Sequence, residues 1–492
     1  MNKFVYTKLY RADKSYEEFA FLFWCITENS GLVYKLINLV LRYDGGMGME
    51  FITGIVAKET SEISEILGGQ LDGSVKLNGY IHTIRDMGEV AFVVLRKAEG
   101  LVQCVFEAGV TGCQLKDIKE GMTVEVEGFL HPEERAPHGF EVRLTNVTVL
   151  TLPQEGTMLP LPISKWKMKT SLETKLTYRP ISLRNIRERA VFKIQEGIVR
   201  GFRDFLFSQG FTEVRTPKIV AGNAEGGANV FKLEYFGSKA FLAQSPQFYK
   251  QTLVGVYDRV FEAAPVFRAE KHNTTRHLNE YTSLDFEMGY IKGFEDIMAM
   301  ETEMLRYVFK FLNSSYAKEL KLLEVELPEL DKIPAVRFDE AKVLVSEKYN
   351  RKIKNPYDLE PEEEVLIGKY FKEECGSDFV FVTHYPSKKR PFYAMDDPTD
   401  TKFTLSFDLL YKGMEITTGG QRIHDYEEQV AKMVARGMNP EDFTNFLMIH
   451  KHGMPKHGGL GIGLERLTMK LLNEHNVRET SMFPRDVSRL EP

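Results

Sequence analysis

The feature that most constrains how this chain can fold is a pair of strand-like segments with a polar loop between them. The segments are Arg259–Glu270 and Tyr281–Ile291, and the loop is Lys271–Glu280. Because residues two apart on a strand share a face, Arg268 and Glu270 should point the same way. The pattern predicts an antiparallel hairpin with one charged face. Such a face is either solvated and joined by ordinary ion pairs, or it binds an anion such as a phosphate.

Length and composition describe a globular protein of ordinary charge. The chain has 492 residues, with 43% hydrophobic and 27% charged side chains and a formal net charge of −6. A length of this size corresponds to about three domains. A negative chain cannot bind RNA through its overall charge, so an RNA partner would have to meet local basic patches. The four cysteines show no metal-type spacing, which predicts a reduced, cytoplasmic protein without structural zinc.

Residues 1–48 contain two apolar runs, Phe19–Ile26 and Leu32–Leu41. Each is too short to cross a bilayer, so we expect no membrane association. Acidic residues ahead of the first run do not suit a secretory signal. We interpret residues 1–48 as an N-terminal extension of unknown role, which is either specific to one lineage or the product of a misassigned start.

The next three regions differ in pattern. Short segments rich in β-branched residues fill residues 74–151, and their glycine-containing turns predict a small β-barrel or a β-sandwich. Residues 152–185 are rich in proline and lysine, which indicates either a hinge that contacts an RNA backbone or a solvated connector. A long amphipathic helix is predicted from Ile186 to about Gly210. The strand after it contains Pro217, which confines it to a sheet edge or an interface.

Several motifs are similar to those of the class II aminoacyl-tRNA synthetases. In the charged hairpin, F-R-A-E followed by T-R-H-L-N-E-Y-T-S-L-D-F-E resembles the second motif of this class. The helix–strand–proline unit resembles the first motif, and G-L-G-I-G-L-E-R at Gly459–Arg466 resembles the third. Within the aspartyl, asparaginyl and lysyl branch, the likeness is to the aspartyl-tRNA synthetases of the archaeal and eukaryotic type. The closing M-F-P-R-D-V-S-R-L-E-P matches the usual C-terminus of the family, so we expect this end to be complete.

The resemblance implies an α+β fold with an N-terminal OB-fold β-barrel at residues 74–151, where G-Y-I-H-T-I-R and F-V-V-L-R match the family's anticodon-binding domain. A hinge at residues 152–185 would lead to a class II catalytic domain at 186–492, built on an antiparallel β-sheet flanked by helices. A variable insertion is expected near 326–390, and we assign no chemistry to it. The first motif implies a homodimer.

For ATP, the resemblance implies a site formed by the second and third motifs and by the segment M-E-I-T-T-G-G-Q-R-I-H. The expected catalytic residues are Arg268 at the α-phosphate, Arg466 at the γ-phosphate and Glu415 as a ligand of Mg²⁺. Thr418 stands where the family usually has serine, and its hydroxyl makes it the second expected metal ligand. The complete expected ATP site is Arg268, Glu270, Arg276, His277, Leu278, Glu415, Gly463, Leu464, Glu465 and Arg466.

For the amino acid, Q-S-P-Q-F-Y-K-Q matches the aspartyl enzymes, whereas asparaginyl enzymes carry an S-G-Q-type sequence. Gln247 and Lys250 lie three apart on a predicted helix and would share a face. Lys250 and Arg422 would bind the β-carboxylate of aspartate, and Glu225, in a loop of small residues, would approach its ammonium group. The complete expected aspartate site is Glu225, Gln247, Lys250, Arg268, Thr418 and Arg422.

For tRNA, the resemblance places anticodon contacts at Phe92, Gln103 and Glu141. An exposed aromatic ring stacks on an unpaired base, and a glutamine amide hydrogen-bonds to a base edge. The alternative for Phe92 is a core position on an alternating strand.

These expectations describe an aspartate–tRNA ligase, which activates L-aspartate with ATP and transfers it to the 3′ end of tRNA-Asp. One alternative is an asparaginyl-tRNA synthetase, which Gln247 and Lys250 disfavour. The other is a non-synthetase paralogue, either an amide-forming enzyme or an RNA-binding module. The sequence leaves open whether tRNA-Asn is also charged.

Overall fold

The computed structural model describes residues 58–69, 73–154, 157, 159–222 and 229–492. The predicted N-terminal extension lies outside these residues. The chain divides into two compact units between Thr151 and Leu152, and each unit has its own hydrophobic core. Among the described residues, no helix is both long enough and apolar enough to cross a membrane.

The first unit is a closed five-stranded barrel, as the resemblance implied, so the alternative of a sandwich is wrong. Ala91, Val93 and Leu95 alternate along one strand and fill the interior. A closed barrel leaves no exposed strand edge. The strands follow the order β1-β2-β3-β5-β4, with bounds β1 Ser74–Asp86, β2 Val90–Arg96, β3 Leu101–Glu107, β4 Thr123–Pro132 and β5 Phe140–Thr151; helix α1 is Ile63–Leu67.

The second unit is built on an eight-stranded, mainly antiparallel sheet in the order β12-β13-β14-β15-β16-β11-β10-β6. Among the described strands of this sheet, only the outermost pairs, β12–β13 and β6–β10, are parallel. The bounds are β6 Thr212–Glu213, β10 Arg259–Phe267, β11 Glu280–Gly289, β12 Ala335–Arg337, β13 Phe379–Thr383, β14 Ser406–Tyr411, β15 Glu415–Gln421 and β16 His457–Gly463. A separate small sheet pairs β7 Ile219–Val220, β9 Ser238–Leu242 and β8 Lys232–Tyr235.

Helices flank the large sheet, which confirms the predicted fold class. The bounds are α2 Leu172–Thr177, α3 Arg179–Ser182, α4 Ile186–Ser208, α5 Gln247–Tyr257, α6 Glu295–Ser315, α7 Ala317–Leu323, α8 Phe338–Tyr349, α9 Pro361–Cys375, α10 Tyr426–Ala435, α11 Thr444–Lys451 and α12 Leu464–Leu471. The long helix predicted from Ile186 is α4. It packs closely on α6, because a Cβ at Gly197 would lie 2.5 Å from Leu312 Cδ2.

Two regions of uncertain character in the sequence have regular structure. The region predicted as a hinge contains α2 and α3, and Arg179 of α3 is buried, where it pairs with Glu188 at 3.1 Å. The region predicted as an insertion contains β12, α8, α9 and β13, and both of its strands extend the large sheet. The predicted domain boundaries themselves stay predictions.

Candidate active site

A cavity of about 240 Å³ opens above the middle of the large sheet, over β11, β15 and β16. One predicted residue, Leu464, packs in the core and does not line it, and another, Glu225, lies outside the described residues. The cavity brings together these predicted ATP and aspartate residues: Gln247, Lys250, Arg268, Glu270, Arg276, His277, Leu278, Glu415, Thr418, Arg422, Gly463, Glu465 and Arg466.

The predicted hairpin is formed by β10 and β11, with Arg259 opposite Met288. One detail of the prediction is wrong, because β10 ends at Phe267 and both Arg268 and Glu270 lie in the connecting loop. The side chain of Asn279 accounts for this difference. Its amide nitrogen donates to the carbonyl oxygens of Arg268 at 2.7 Å and of Glu270 at 3.0 Å, where a continuing strand would have placed main-chain donors.

Helix α5 carries the first cation of the cavity. The helix begins at Gln247, whose N–H donates to Ser245 Oγ at 3.2 Å. Lys250 Nζ donates to Asp285 Oδ1 at 3.0 Å and to the carbonyl oxygen of Leu460 at 2.9 Å. It also lies 3.3 Å from Glu287 Oε2. The lysine is therefore held at the floor of the cavity by two carboxylates of β11.

Arg422 supplies a second cation at the same end. Its Nε donates to Glu287 Oε1 at 2.9 Å, so Glu287 lies between Arg422 and Lys250. Burial opposes ionisation of Glu287, but the charges of Arg422 and Lys250 outweigh burial and hold the pKa of this carboxyl below its usual value. With Asp285, this end of the cavity carries two cations and two carboxylates, all buried.

One oxygen of this cluster has no partner among the described residues. Asp285 Oδ2 is buried and accepts no hydrogen bond there. An unpaired buried carboxylate oxygen is unfavourable, so a cationic or N–H donor from a ligand would stabilise it. Asp285 lines the cavity, which makes this oxygen the natural partner of an ammonium group.

The opposite end of the cavity is dominated by arginines around Glu415. Burial alone would raise the pKa of Glu415, but surrounding positive charges outweigh burial and lower it. Arg466 has the largest effect among these charges, with Nη1 at 3.6 Å from Glu415 Oε1. The arginines responsible are Arg466, Arg268, Arg390 and Arg276. This end can therefore hold a ligand with several negative charges, such as a polyphosphate.

A residue outside every motif also reaches this end. Glu364 of α9 lies in the region to which the sequence assigned no chemistry. Its Oε2 accepts a hydrogen bond from Arg276 Nη2 at 2.7 Å and another from the backbone N–H of Glu415 at 3.0 Å. Burial raises the pKa of Glu364 to about 7, although the charge of Arg276 opposes the rise.

Two more predicted ATP residues are constrained by burial. The pKa of His277 falls to about 4, first because the ring is buried and second because Arg466 lies near it, so the imidazole is neutral at pH 7. Burial raises the pKa of Glu465 to about 7. Both carboxylate oxygens of Glu465 accept from the N–H of Thr282 at 3.1 Å, which fixes the side chain at the cavity wall.

The predicted metal ligands provide the oxygen donors that Mg²⁺ prefers. Thr418 Oγ1 donates to Glu415 Oε1 at 3.2 Å, and Asp408 lies directly opposite Thr418 on β14. Burial raises the pKa of Asp408 to about 6, and Arg390 limits the rise with a contact of 2.7 Å. Within the described part of the chain, no group of three or more His, Cys, Asp or Glu side chains is placed to hold a metal ion by itself. This donor set suits Mg²⁺, which usually retains waters and phosphate oxygens as ligands.

Strand β16 forms the floor of the cavity through its glycines. A Cβ at Gly459 would collide with the carboxylate of Glu287, and a Cβ at Gly461 would lie 3.0 Å from Asp285 Oδ1. At Gly463 the nearest atoms, from Arg466, would be 3.8 Å away. The missing side chains therefore make room for the acidic cluster at one end and leave open space at the other.

The predicted anticodon residues share the outer face of the barrel. Phe92 points away from the interior that Ala91 and Val93 fill, so the alternative of a core position is wrong. Gln103 lies on the neighbouring strand, and its Nε2 donates to Glu141 Oε2 at 3.1 Å. This face of the barrel thus carries an aromatic ring and two polar side chains close together.

Sequence reasoning missed several side chains that shape the cavity. Asp285 and Glu287 alternate on β11, so their shared face was predictable, but no spacing rule identifies their partners. Arg390, Asp408 and Glu364 lie in segments without motifs. Only the folded chain brings Arg390 to the cavity, and only there do Asp408 and Glu364 pair with the lining residues Arg390 and Arg276. Only Asp408 left a signal in the sequence, as the single charged residue of the buried strand β14.

Comparison with protein families gives two matches. Residues 171–487 match the family described as tRNA synthetases class II (D, K and N). Residues 75–150 match the OB-fold nucleic acid binding domain.

Individual proteins give similar results. The chain is 45% identical to the aspartate–tRNA(Asp/Asn) ligase of Deinococcus radiodurans, over 85% of this chain and 96% of that protein. It is 40% identical to the aspartate–tRNA(Asp) ligase of Pyrococcus furiosus, over 88% and 99% respectively. Among solved structures, asparaginyl-tRNA synthetase from Pyrococcus horikoshii with asparaginyl-adenylate is 31% identical, with a TM-score of 0.79 over 86% and 96% of the two chains. Aspartyl-tRNA synthetase from Entamoeba histolytica is 29% identical, with a TM-score of 0.75 over 88% and 92%.

Proposed function

We infer the function of this chain from its family: it belongs to the class II tRNA synthetases (D, K and N), and it is an aspartate–tRNA ligase. The observation that carries the choice of aspartate is the pair of buried cations, Lys250 and Arg422, at one end of a cavity whose other end is lined by arginines.

We propose that the amino acid binds with its side-chain carboxylate at Lys250 and Arg422. The ammonium group then meets Asp285 Oδ2, the buried oxygen without a partner in the described structure. Asparagine would place a neutral amide against the two cations. A site built around a polar group rejects an analogue that lacks it by about 10⁴-fold.

The proposed reaction has two steps. The α-carboxylate of aspartate attacks the α-phosphorus of ATP, which forms aspartyl-adenylate and releases pyrophosphate. The 3′-terminal hydroxyl of tRNA then attacks the activated carbonyl carbon, which forms the ester and releases AMP. The first nucleophile is already ionised, so the first step requires positioning and charge neutralisation and no side-chain base.

The arginines supply that neutralisation. We propose that Arg268 stabilises the α-phosphate as the bond to the carboxylate forms, and that Arg466 and Arg276 hold the γ-phosphate. Mg²⁺, held by Glu415 and Thr418 with Asp408 beside them, would neutralise phosphate charge when bound. Neutral His277 and buried Glu465 would line the nucleoside part of the site.

Amino-acid-dependent ATP–pyrophosphate exchange tests this proposal. We expect exchange with aspartate and at least about 10³-fold less with asparagine or lysine. Exchange with asparagine as the best substrate would instead identify an asparaginyl enzyme. Folded protein that shows no exchange with any of the three, in the presence of Mg²⁺, would be a paralogue without synthetase activity.

The tRNA partner requires a separate measurement. We propose tRNA-Asp, with Phe92 stacked on an anticodon base and Gln103 and Glu141 at base edges. The similar proteins named above include one for tRNA-Asp alone and one for both tRNA-Asp and tRNA-Asn. Aminoacylation of the two transcripts side by side distinguishes a selective enzyme from one that charges both.

We also propose a cytoplasmic homodimer. The helix–strand–proline unit has exposed apolar side chains, among them Phe207 and Ile219 with 53% and 49% of their surface accessible. Strand β6 forms an edge of the large sheet next to it. Sedimentation equilibrium should give twice the mass of the chain, and a monomer at micromolar concentration would contradict the proposal.

A further inference from the structure

A carboxylate outside the motifs joins the separate parts of the phosphate end of the cavity. Resting on the function proposed above, we propose that Glu364 is a positioning residue for ATP. It holds Arg276 of the hairpin loop and the first residue of β15 in fixed relation to each other. Glu364 is not itself expected to touch the nucleotide, and it does not line the cavity.

Glu364 closes a ring of four residues. Its Oε2 accepts from Arg276 Nη2 at 2.7 Å and from the N–H of Glu415 at 3.0 Å. The carbonyl oxygen of Arg276 accepts from Arg466 Nε at 3.2 Å, and Arg466 Nη1 donates to the carbonyl oxygen of Glu415 at 3.3 Å. The positions of Arg276, Arg466 and Glu415 are therefore linked by hydrogen bonds. Glu364 supplies the link between the Arg276 side chain and the Glu415 backbone, and it belongs to none of the motifs.

The helix that carries Glu364 is fixed against β15. A Cβ at Gly368 of α9 would lie 2.6 Å from the backbone nitrogen of Gly413, so the helix and the turn before β15 are in close contact. The neighbouring Glu363 is fully buried and accepts from Lys342 Nζ at 2.6 Å. Packing and this ion pair hold α9 in place, so Glu364 has a rigid support.

The electrostatics explain why Arg276 needs a partner here. It lies with three other arginines around Glu415, and like charges in a half-buried site repel each other. Without a carboxylate at position 364, the Arg276 side chain could turn toward solvent, and ATP would have to order it on binding. Ordering a flexible side chain on binding costs conformational entropy, which a preformed ion pair avoids.

The ion pair is poorly explained as a stabilising element of the fold. Removing two charges from water costs free energy that their attraction only partly recovers, and apolar replacements of buried pairs are often neutral or stabilising. Arg276 belongs to a loop at the cavity mouth and adds nothing to the hydrophobic core. The contact fits a role in placing the guanidinium.

Steady-state pyrophosphate exchange with Glu364→Gln tests the proposal. The variant keeps the size of the side chain and an acceptor for Glu415 N–H but loses the charge that holds Arg276. We expect the KM for ATP to rise about tenfold, as for the loss of one charge-assisted contact, while the KM for aspartate changes less than about twofold because Lys250 and Arg422 are untouched. Glu373→Gln is the matched control, since Glu373 lies on the exposed side of the same helix, 3.7 Å from Lys369.

A double-mutant cycle shows whether Glu364 acts through Arg276. In the Arg276→Gln background, adding Glu364→Gln should change the KM for ATP by less than about twofold. An undiminished effect in that background, or an unchanged KM for ATP in the single variant, would overturn the proposal. So would a loss confined to thermal stability.

If Glu364→Gln does not fold, Glu364→Asp is the second variant, because it keeps the charge but shortens the side chain. The KM for ATP should again rise while the KM for aspartate does not. A KM for ATP equal to that of the parent would overturn the proposal. If the parent chain itself shows no aspartate-dependent exchange, the proposed function fails before Glu364 is tested. A parent that is active beside an unaffected Glu364→Gln variant contradicts only the inference about Glu364.

Discussion

At the scale of the residue, the site consists of charges that are paired before any substrate arrives. Lys250 and Arg422 contact Asp285 and Glu287, and the arginines at the other end surround Glu415. Pairing keeps these side chains ionised in a buried setting and fixes their rotamers. The substrate therefore meets groups already in position, which is the condition for electrostatic stabilisation of a transition state.

Arg268 offers the most direct test at this scale. We expect Arg268→Ala to abolish aspartate-dependent pyrophosphate exchange, with a loss of at least about 10²-fold, because no other side chain is proposed to contact the α-phosphate. Arg135→Ala is a suitable control, since Arg135 lies on the barrel with 94% of its side chain accessible. Exchange within a few-fold of the parent would remove Arg268 from the mechanism.

Single residues were predictable where a motif or a spacing rule fixed them. Gln247 and Lys250 share a helix face as their separation required, and both line the cavity. The partners of Lys250 were not predictable, because sequence alternation gives the face of a strand and not the residue across from it. The end of β10 was misplaced for a related reason. The carbonyl oxygens of Arg268 and Glu270 accept from the side chain of Asn279, and the sequence pattern does not show this contact.

At the scale of the element, β16 shows how one strand serves two purposes. Its alternating glycines admit the carboxylates of Glu287 and Asp285 at one end and leave space at the other. The second purpose follows from the sequence alone, because glycines at every second position leave one face of a strand without side chains. The first depends on β11 lying beside β16 in this register, which pairs Glu287 with Gly459.

Two alanine substitutions separate these purposes. Gly459→Ala should displace the Glu287 carboxylate from Lys250 and Arg422 and lower the melting temperature, with a destabilisation on the order of 1–3 kcal/mol. Gly463→Ala meets no atom closer than 3.8 Å, so the melting temperature should stay near that of the parent while the KM for ATP rises. Equal melting temperatures for the two variants would contradict this assignment.

Helix α6 contributes a buried acid behind β15. Glu301 is fully buried, and burial raises its pKa to about 8 from an ordinary value of 4.5, with Asp408 adding to the rise. Between about pH 4.5 and pH 8, Glu301 keeps its proton in the folded chain but has lost it in the unfolded chain. The free energy of unfolding therefore falls as pH rises through this window. Above about pH 8 the group has no further effect.

Glu301→Gln should remove that dependence. The melting temperature of the variant should exceed that of the parent by an amount that grows from pH 5 to pH 8, corresponding to a few kcal/mol at most. Calorimetry of both proteins across this range measures it, with the exposed Glu303→Gln on the same helix as a control. A difference in melting temperature that does not vary with pH would show that Glu301 keeps its charge in the folded chain.

At the scale of the whole molecule, the two units are predictable to different degrees. The barrel follows from short alternating segments, although spacing alone allowed a sandwich, and only strand pairing decides between them. The order of the eight-stranded sheet does not follow from the sequence, because its neighbours come from distant parts of the chain. The region 326–390 was underestimated, since its helical propensity gave no sign that β12 and β13 extend the sheet.

The separate cores predict separable activities. Every described residue that lines the cavity belongs to the second unit, between Gln244 and Val477. A fragment of residues 152–492 should fold and retain aspartate-dependent exchange within a few-fold of the full chain. Its KM for tRNA should rise by at least about tenfold, because a single stacked base is worth ~1–3 kcal/mol. Loss of exchange in a folded fragment would show that the barrel is needed for amino-acid activation.

The ring closed by Glu364 has a consequence for attempts to shorten this chain. A designer who wishes to trim the catalytic unit would choose the region without motifs, which includes α8 and α9. Helix α9 should be kept, because removing it would leave the hairpin loop and β15 without their common carboxylate. A miniaturised enzyme would have to graft an acid at that point before its nucleotide site could be rebuilt.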